Sequence, residues 1–165
     1  MSIVKLVVFD LDLTLWDHPN VSSLVFPLTL VTSDTVEDAE GSRVTLFRGI
    51  RETLEALSDR GLVLSVASWN DPPPVSELLR LFGFEEYFKY PQVEWDVPKV
   101  QMIRTIIRLI RRNLHVDIRP EEILFVDDNE KHHEVVKENE KRIRLARAWV
   151  NPKSPLELLR PEWLG

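Results

Sequence analysis

Residues 1–165 read as an α/β protein: a doubly wound, Rossmann-like parallel sheet with helices on both faces, a small β-hairpin flap and no large cap domain. Three observations predict it. Nearly continuous apolar runs, the mark of strands covered on both faces, recur along the chain. Stretches with helical apolar spacing separate them. Only the interval after the first run breaks the alternation, with β-like runs where a helix would stand.

Taken in order, residues 4–9 form the first apolar run and the first strand. Residues 17–47 lack helical periodicity and hold two β-like runs, 25–32 and 43–47, which predict the flap. The acidic stretch 33–41 between them, with Asp34, Glu37, Asp38 and Glu40, reads as a solvated loop tip. Ile50, Leu54 and Leu57 have helical spacing, with Gly61 as a stop. A strand follows over 62–67. After the entry Pro72-Pro73-Pro74, the stripe Val75, Leu78, Leu79 and Phe82 predicts a helix that Gly83 ends. The longest helix spans 98–114 and should turn Val100, Ile103, Ile106, Ile107, Ile110 and Leu114 inward. Residues 123–126 read as a strand, and a helix beginning just after Asp128 should carry Val135 and Val136 inward. A weaker strand at 143–146 and a short helix near 156–159 complete the chain. No linker divides it, so a single domain over 1–165 is expected.

Composition narrows the function. The 27 acidic against 21 basic residues give a formal net charge of −6, which argues against wrapping nucleic acid. The chain has no cysteine, which removes disulfides, thiolate zinc sites and cysteine nucleophiles together. The first apolar run is interrupted by Asp10 and Asp12 far short of the ~18 residues of a membrane span, and no secretory signal is legible. A soluble, cytoplasmic protein with no membrane partner is the expectation; the sequence leaves the oligomeric state open.

The chemistry is written at the strand ends. In a doubly wound sheet the ligand crevice lies outside the carboxyl ends of the strands. Asp10 and Asp12 follow the first strand, Ser68, Trp69 and Asn70 follow the one at 62–67, and Asp127 and Asp128 follow the one at 123–126. Lys99 opens the longest helix. Four carboxylates in one crevice repel one another, and a hard divalent cation is the usual remedy. Oxygen donors without cysteine, or any histidine at those strand ends, favour Mg²⁺ over zinc. On a strand that ran on straight, Asp10 and Asp12 would share a face, one carboxylate attacking while the other handles the proton. Phosphate-monoester hydrolysis needs acceleration approaching ~10²¹-fold, of which a general acid supplies about 10²–10⁴. The remainder must come from positioning and charge stabilisation of the phosphoryl group, for which the cation, Lys99 and Ser68 are suited.

The run Phe9-Asp10-Leu11-Asp12-Leu13-Thr14-Leu15-Trp16 resembles motif I of the haloacid dehalogenase-like superfamily, and its Leu15-Trp16 ending is similar to the magnesium-dependent phosphatase family within it. Ser68 resembles motif II, Lys99 motif III and Asp127-Asp128 motif IV. The resemblance implies a Mg²⁺-dependent phosphomonoester hydrolase acting through an aspartyl-phosphate. It implies Asp10 as nucleophile and metal ligand, and Asp12 as the acid and base whose main-chain carbonyl meets the metal. Thr14 would support the loop. Ser68 and the main chain at Trp69 and Asn70 would hold the phosphoryl oxygens, and Lys99 would neutralise charge. Asp128 would bind the metal directly, with Asp127 behind it or against Lys99. Relatives often carry Ala-Ser-Arg-Thr where this chain has Ala67-Ser68-Trp69-Asn70, and an acid where it has Asn129.

With no large cap, the site should admit a phosphotyrosine, a phosphoprotein or a small sugar-phosphate-type substrate. A phosphotransferase using the same covalent intermediate is the alternative, as is a non-catalytic binding module that keeps the fold. His132 and His133, adjacent on a helix and so pointing about 100° apart, suit a chelate poorly. Arg104, Arg108, Arg111 and Arg112 read as a solvated basic face.

Overall fold

The computed structural model describes residues 3–165. Its centre is a five-stranded, wholly parallel sheet built from β1 (Leu6–Phe9), β5 (Val63–Ser68), β6 (Gln92–Val93), β7 (Ile123–Asp127) and β8 (Arg144–Arg147), in the order β6-β5-β1-β7-β8. A second sheet, antiparallel, contains β2 (Thr29–Thr32), β3 (Thr35–Glu37) and β4 (Arg43–Thr45). The helices are α1 (Ile50–Asp59), α2 (Pro72–Phe82), α3 (Lys99–Leu114), α4 (Glu130–Asn139) and the terminal turn α5 (Pro161–Leu164).

The apolar runs behave as strands covered on both sides. Val7 and Phe9 of β1 join the cluster that contains Leu54, Leu57, Val75 and Leu78 from α1 and α2. Leu6 and Val8 join the other, with Ile103, Ile106 and Ile110 of α3 and Val136 of α4. That alternation of period two puts one helix pair on each face. All four β1 residues are fully buried. The chain leaves β1 for β5 on one side and later reaches β7 on the other, so β1 is the switch point and the crevice opens beyond Phe9.

Several expectations shift. The acidic stretch 33–41 is not a bare loop tip: it contains β3, which gives the antiparallel flap a third strand. Asp38 is buried because its carboxylate accepts the backbone N–H groups of Val25, Glu40 and Ser42, tying the turn to the segment before β2. Leu114 is exposed at the last position of α3, and Met102 fills the inward stripe with Ile103. Val135 is exposed while Val136 is buried, since neighbours about 100° apart on a helix cannot both face the sheet. The strand β6, only two residues long, carried no signal in the sequence. No helix among the described residues is long and apolar enough to cross a membrane.

Candidate active site

Asp10 is the first residue past β1, and its N–H continues the ladder to Val126 O at 2.9 Å. Asp127 ends β7 and Asp128 follows it. Parallel pairing in register, Phe9 beside Val126, brings these acids together. Oxygens from Asp10, Asp127 and Asp128 all lie within 4.8 Å of one another. Ser68 closes β5 on the opposite side of β1, fully buried.

Lys99 comes from the first position of α3. Helical side chains tilt toward the N-terminus, so this one projects back to the sheet edge and is 1% exposed. Its Nζ lies 3.0 Å from Asp10 Oδ1, 3.2 Å from Asp127 Oδ2 and 2.6 Å from the Ala67 carbonyl. Three acceptors take all three ammonium hydrogens. Burial alone would lower this amine's pKa, but Asp10 and Asp127 hold it above its usual value.

Asp12 behaves differently from a residue on a continued strand. The chain turns at once: Leu11 O accepts the N–H groups of Thr14 and Leu15 at 2.9 and 2.8 Å, and Leu13 adopts φ 59°. Asp12 is thereby rotated out of the acid cluster. Its Oδ1 accepts Trp16 Nε1–H at 2.8 Å and its Oδ2 accepts Asn70 Nδ2–H at 3.0 Å. Asp12 therefore flanks the same cavity as Asp10 without crowding its carboxylate. Thr14 links the two loops. Its Oγ1 lies 3.4 Å from both Asp10 Oδ2 and Asp128 Oδ1 and accepts the Asp128 N–H at 3.2 Å.

The electrostatics sort the acids. Asp127 is held down to about 2 despite its burial, because Lys99 and His132 face it and the Asn129 N–H donates to it. Its contacts are with protein donors: Lys99, His132 Nδ1 at 2.9 Å and Asn129 N at 2.8 Å. Asp127 is thus the counter-ion of Lys99. Burial pushes Asp10 well above the ordinary carboxylate range against the pull of Lys99, with Asp127 adding to the rise. Burial also raises Asp128. Ionised together, the two adjacent carboxyls would carry an uncompensated negative charge, which a hard divalent cation would balance. The donor set is all oxygen and includes two carboxylates, which fits Mg²⁺ with water completing the shell.

The cavity over these groups measures about 220 Å³ and is lined by Asp10, Asp12, Leu13, Trp69, Asn70 and Asp128, among others. Trp69 and His132 meet edge to face at 4.8 Å, and a second cavity of about 290 Å³ lies against the same pair with Pro98, Lys131 and Val135. Trp69 is fixed by its Nε1–H on Val97 O at 2.5 Å.

Sequence reasoning missed several members of the site. His132, weighed only as a chelate, has another role: its ring reaches back from the first turn of α4 to Asp127, a reach available to a residue just inside a helix that follows a strand-end acid. His133 turns the other way and packs on Phe125, with Nε2–H on Asp127 O at 2.7 Å. Trp149 donates to Thr14 O at 3.0 Å, and Ser22 bonds Asn70 at 2.6 Å; neither carried a local signal.

A family model for acid phosphatases matches residues 2–145. The human protein magnesium-dependent phosphatase 1 is 32% identical over 90 residues, covering 54% of this chain and 51% of that protein. The chain thus spans about half the length of that curated relative. Among solved structures, the N-terminal part of BF1531 from Bacteroides fragilis, containing a phosphatase domain and complexed with Mg, is similar with a TM-score of 0.60 and 21% identity over 98% of this chain and 39% of that one. A Had-superfamily hydrolase from Ehrlichia chaffeensis has a TM-score of 0.61 and 13% identity over 89% and 87% of the respective chains. At these identities the solved structures show the α/β fold.

Proposed function

The chain belongs to the acid phosphatase family, and from that premise we propose that it hydrolyses phosphate monoesters through an aspartyl-phosphate on Asp10, with Mg²⁺ as cofactor. The observation that carries the reading is the division of charge just described. Lys99 lies between Asp10 and Asp127, and with Asp128 beside them three carboxylates within 4.8 Å face one ammonium, an excess of negative charge that a cation would balance. Bound there, Mg²⁺ would supply charge stabilisation for the transferring phosphoryl group.

In the first step an Asp10 oxygen attacks phosphorus and the ester P–O bond breaks, with Asp12 giving its proton to the departing oxygen. Asp12 then takes a proton from water as that water attacks the acyl phosphate, releasing phosphate and restoring Asp10. Lys99 holds Asp10 Oδ1 at 3.0 Å, which fixes the direction of the attacking carboxylate. Ser68, at the end of β5 beside Asp10, would offer its hydroxyl to a phosphoryl oxygen. Residues 1–165 act in this reading as one domain. Between β5 and α3 the chain holds only α2 and β6 and no cap, so an open mouth would accept phosphotyrosine, phosphoprotein or sugar-phosphate-type esters.

The test is turnover of 4-nitrophenyl phosphate with and without Mg²⁺, in the native chain and in Asp10→Asn. Mg²⁺-dependent hydrolysis that falls at least about 10³-fold in the variant is expected. Comparable turnover in Asp10→Asn would remove the covalent mechanism. Absence of turnover in the native chain under any divalent ion would favour the binding-module alternative.

A further inference from the structure

We propose that Asn70 is a positioning residue for Asp12, the second half of a clamp that begins at Ser22; the role rests on the phosphatase reading above. Asn70 is 1% exposed. Its Oδ1 accepts Ser22 Oγ–H at 2.6 Å, and its Nδ2 donates to Asp12 Oδ2 and to Ser68 Oγ, each at 3.0 Å. The orientation of the amide follows from its neighbours. Ser22 Oγ already accepts the Asp71 N–H at 2.9 Å, which frees its proton for Asn70 Oδ1. The reversed amide would set Oδ1 against the Asp12 carboxylate.

The clamp closes on both sides of Asp12. Trp16, fully buried, holds Oδ1 at 2.8 Å, and Asn70 holds Oδ2. One carboxylate oxygen is therefore anchored on the loop after β1 and the other on the loop after β5, with the Val21 N–H a longer third contact to Oδ2 at 3.4 Å. Proton transfer to a leaving group is sensitive to such placement, since a shift of about 1 Å can cost about 10²-fold. A primary amide is the side chain that supplies one acceptor and two donors in a single plane, and all three are in use here. With both side-chain amide hydrogens engaged, only the main-chain N–H of Asn70 is left to meet a phosphoryl oxygen. The clamp is therefore a role of the side chain, beside the phosphate-binding one expected of the main chain after Ser68.

The experiment compares kcat/KM for an activated aryl ester, 4-nitrophenyl phosphate, and an unactivated alkyl ester, glycerol 2-phosphate, in the native chain and in Asn70→Ala, Ser22→Ala and Asp12→Asn. The ratio kcat/KM ends at the phosphoenzyme, so it isolates departure of the leaving group. A nitrophenolate departs without a proton and an alkoxide does not. Asn70→Ala should lose at least tenfold more on the alkyl ester than on the aryl ester, in the pattern of Asp12→Asn. Ser22→Ala, which leaves the buried amide in place, should show a smaller loss with the same bias. A crystal structure of Asn70→Ala should show the Asp12 side chain displaced or in two rotamers. Equal losses on both esters or an unmoved Asp12 would each overturn the proposal. A native chain that hydrolyses neither ester, or an Asp12→Asn variant without the bias, would overturn the phosphatase reading instead, and the Asp12 pose would still decide whether the clamp exists.

Discussion

Replacing Lys99 by methionine is the sharpest probe of the site's electrostatics. The substitution keeps the length of the aliphatic stem and removes the ammonium. It strands the Asp10 carboxylate, the Asp127 carboxylate and the Ala67 carbonyl, which Lys99 now meets at 3.0, 3.2 and 2.6 Å. Removing one partner of a buried ion pair costs about 3–5 kcal/mol. At about 2–4 °C per kcal/mol for a chain of this size, the melting temperature should fall by roughly 6–20 °C. The loss should itself depend on pH. Without Lys99 the pKa of Asp10, already raised, climbs further above its unfolded value, and Asp127 loses the main charge that holds its own down. The folded variant then binds more protons than the unfolded one, so stability is retained at low pH and lost as pH rises. Urea titrations in EDTA at pH 5 and pH 8 measure both effects, with a larger deficit expected at pH 8. Adding Asp127→Asn to Lys99→Met should recover part of it, because one stranded charge is gone. A deficit below about 1 kcal/mol at pH 8, or one independent of pH, would refute the assignment of Lys99 as the ion that neutralises the cluster.

Removal of the Asp128 carboxylate tests the cation. Mg²⁺ at a hundredfold excess over Kd should stabilise the native chain by about 2.7 kcal/mol, and Asp128→Asn should abolish most of that thermal shift; an undiminished shift would move the metal elsewhere. Glu122, remote from the site, accepts the Arg119 N–H and pairs with Lys5 at 2.9 Å, and these hold its carboxyl down to about 2. Its contribution to stability is full above about pH 4.5 and fades as pH falls toward 2. Glu122→Gln should therefore be less stable than the native chain at pH 7, with the gap narrowing below pH 4.5 in denaturation midpoints; a gap constant with pH would refute this.

What the sequence disclosed and what it withheld divide along a physical line. The strands β1, β5 and β7 were legible because a strand covered on both faces must be apolar at every position, and such runs stand out. Asp10, Asp127 and Asp128 were legible for the same reason, as the acids that end those runs at the switch point. The strand β3 was hidden in an acidic stretch because Asp38 serves the main chain, accepting three N–H groups, and so its charge gave no sign of burial. Asp12 was read onto the Asp10 face because alternation holds only while the strand continues, and the turn at Leu11–Leu13 ends it. The clamp on Asp12 joins Ser22, Asn70 and Trp16, and its Ser22–Asn70 bond spans 48 positions of chain. No local pattern encodes such a bond, since it depends on how the flap root meets the loop after β5. Residues that attack or bind a metal can thus be read from where strands end, whereas residues that aim them emerge only from tertiary contacts. The clamp is of the second kind: a change of the Ser22 side chain, which lies outside every family motif quoted, should alter proton delivery at Asp12 through Asn70.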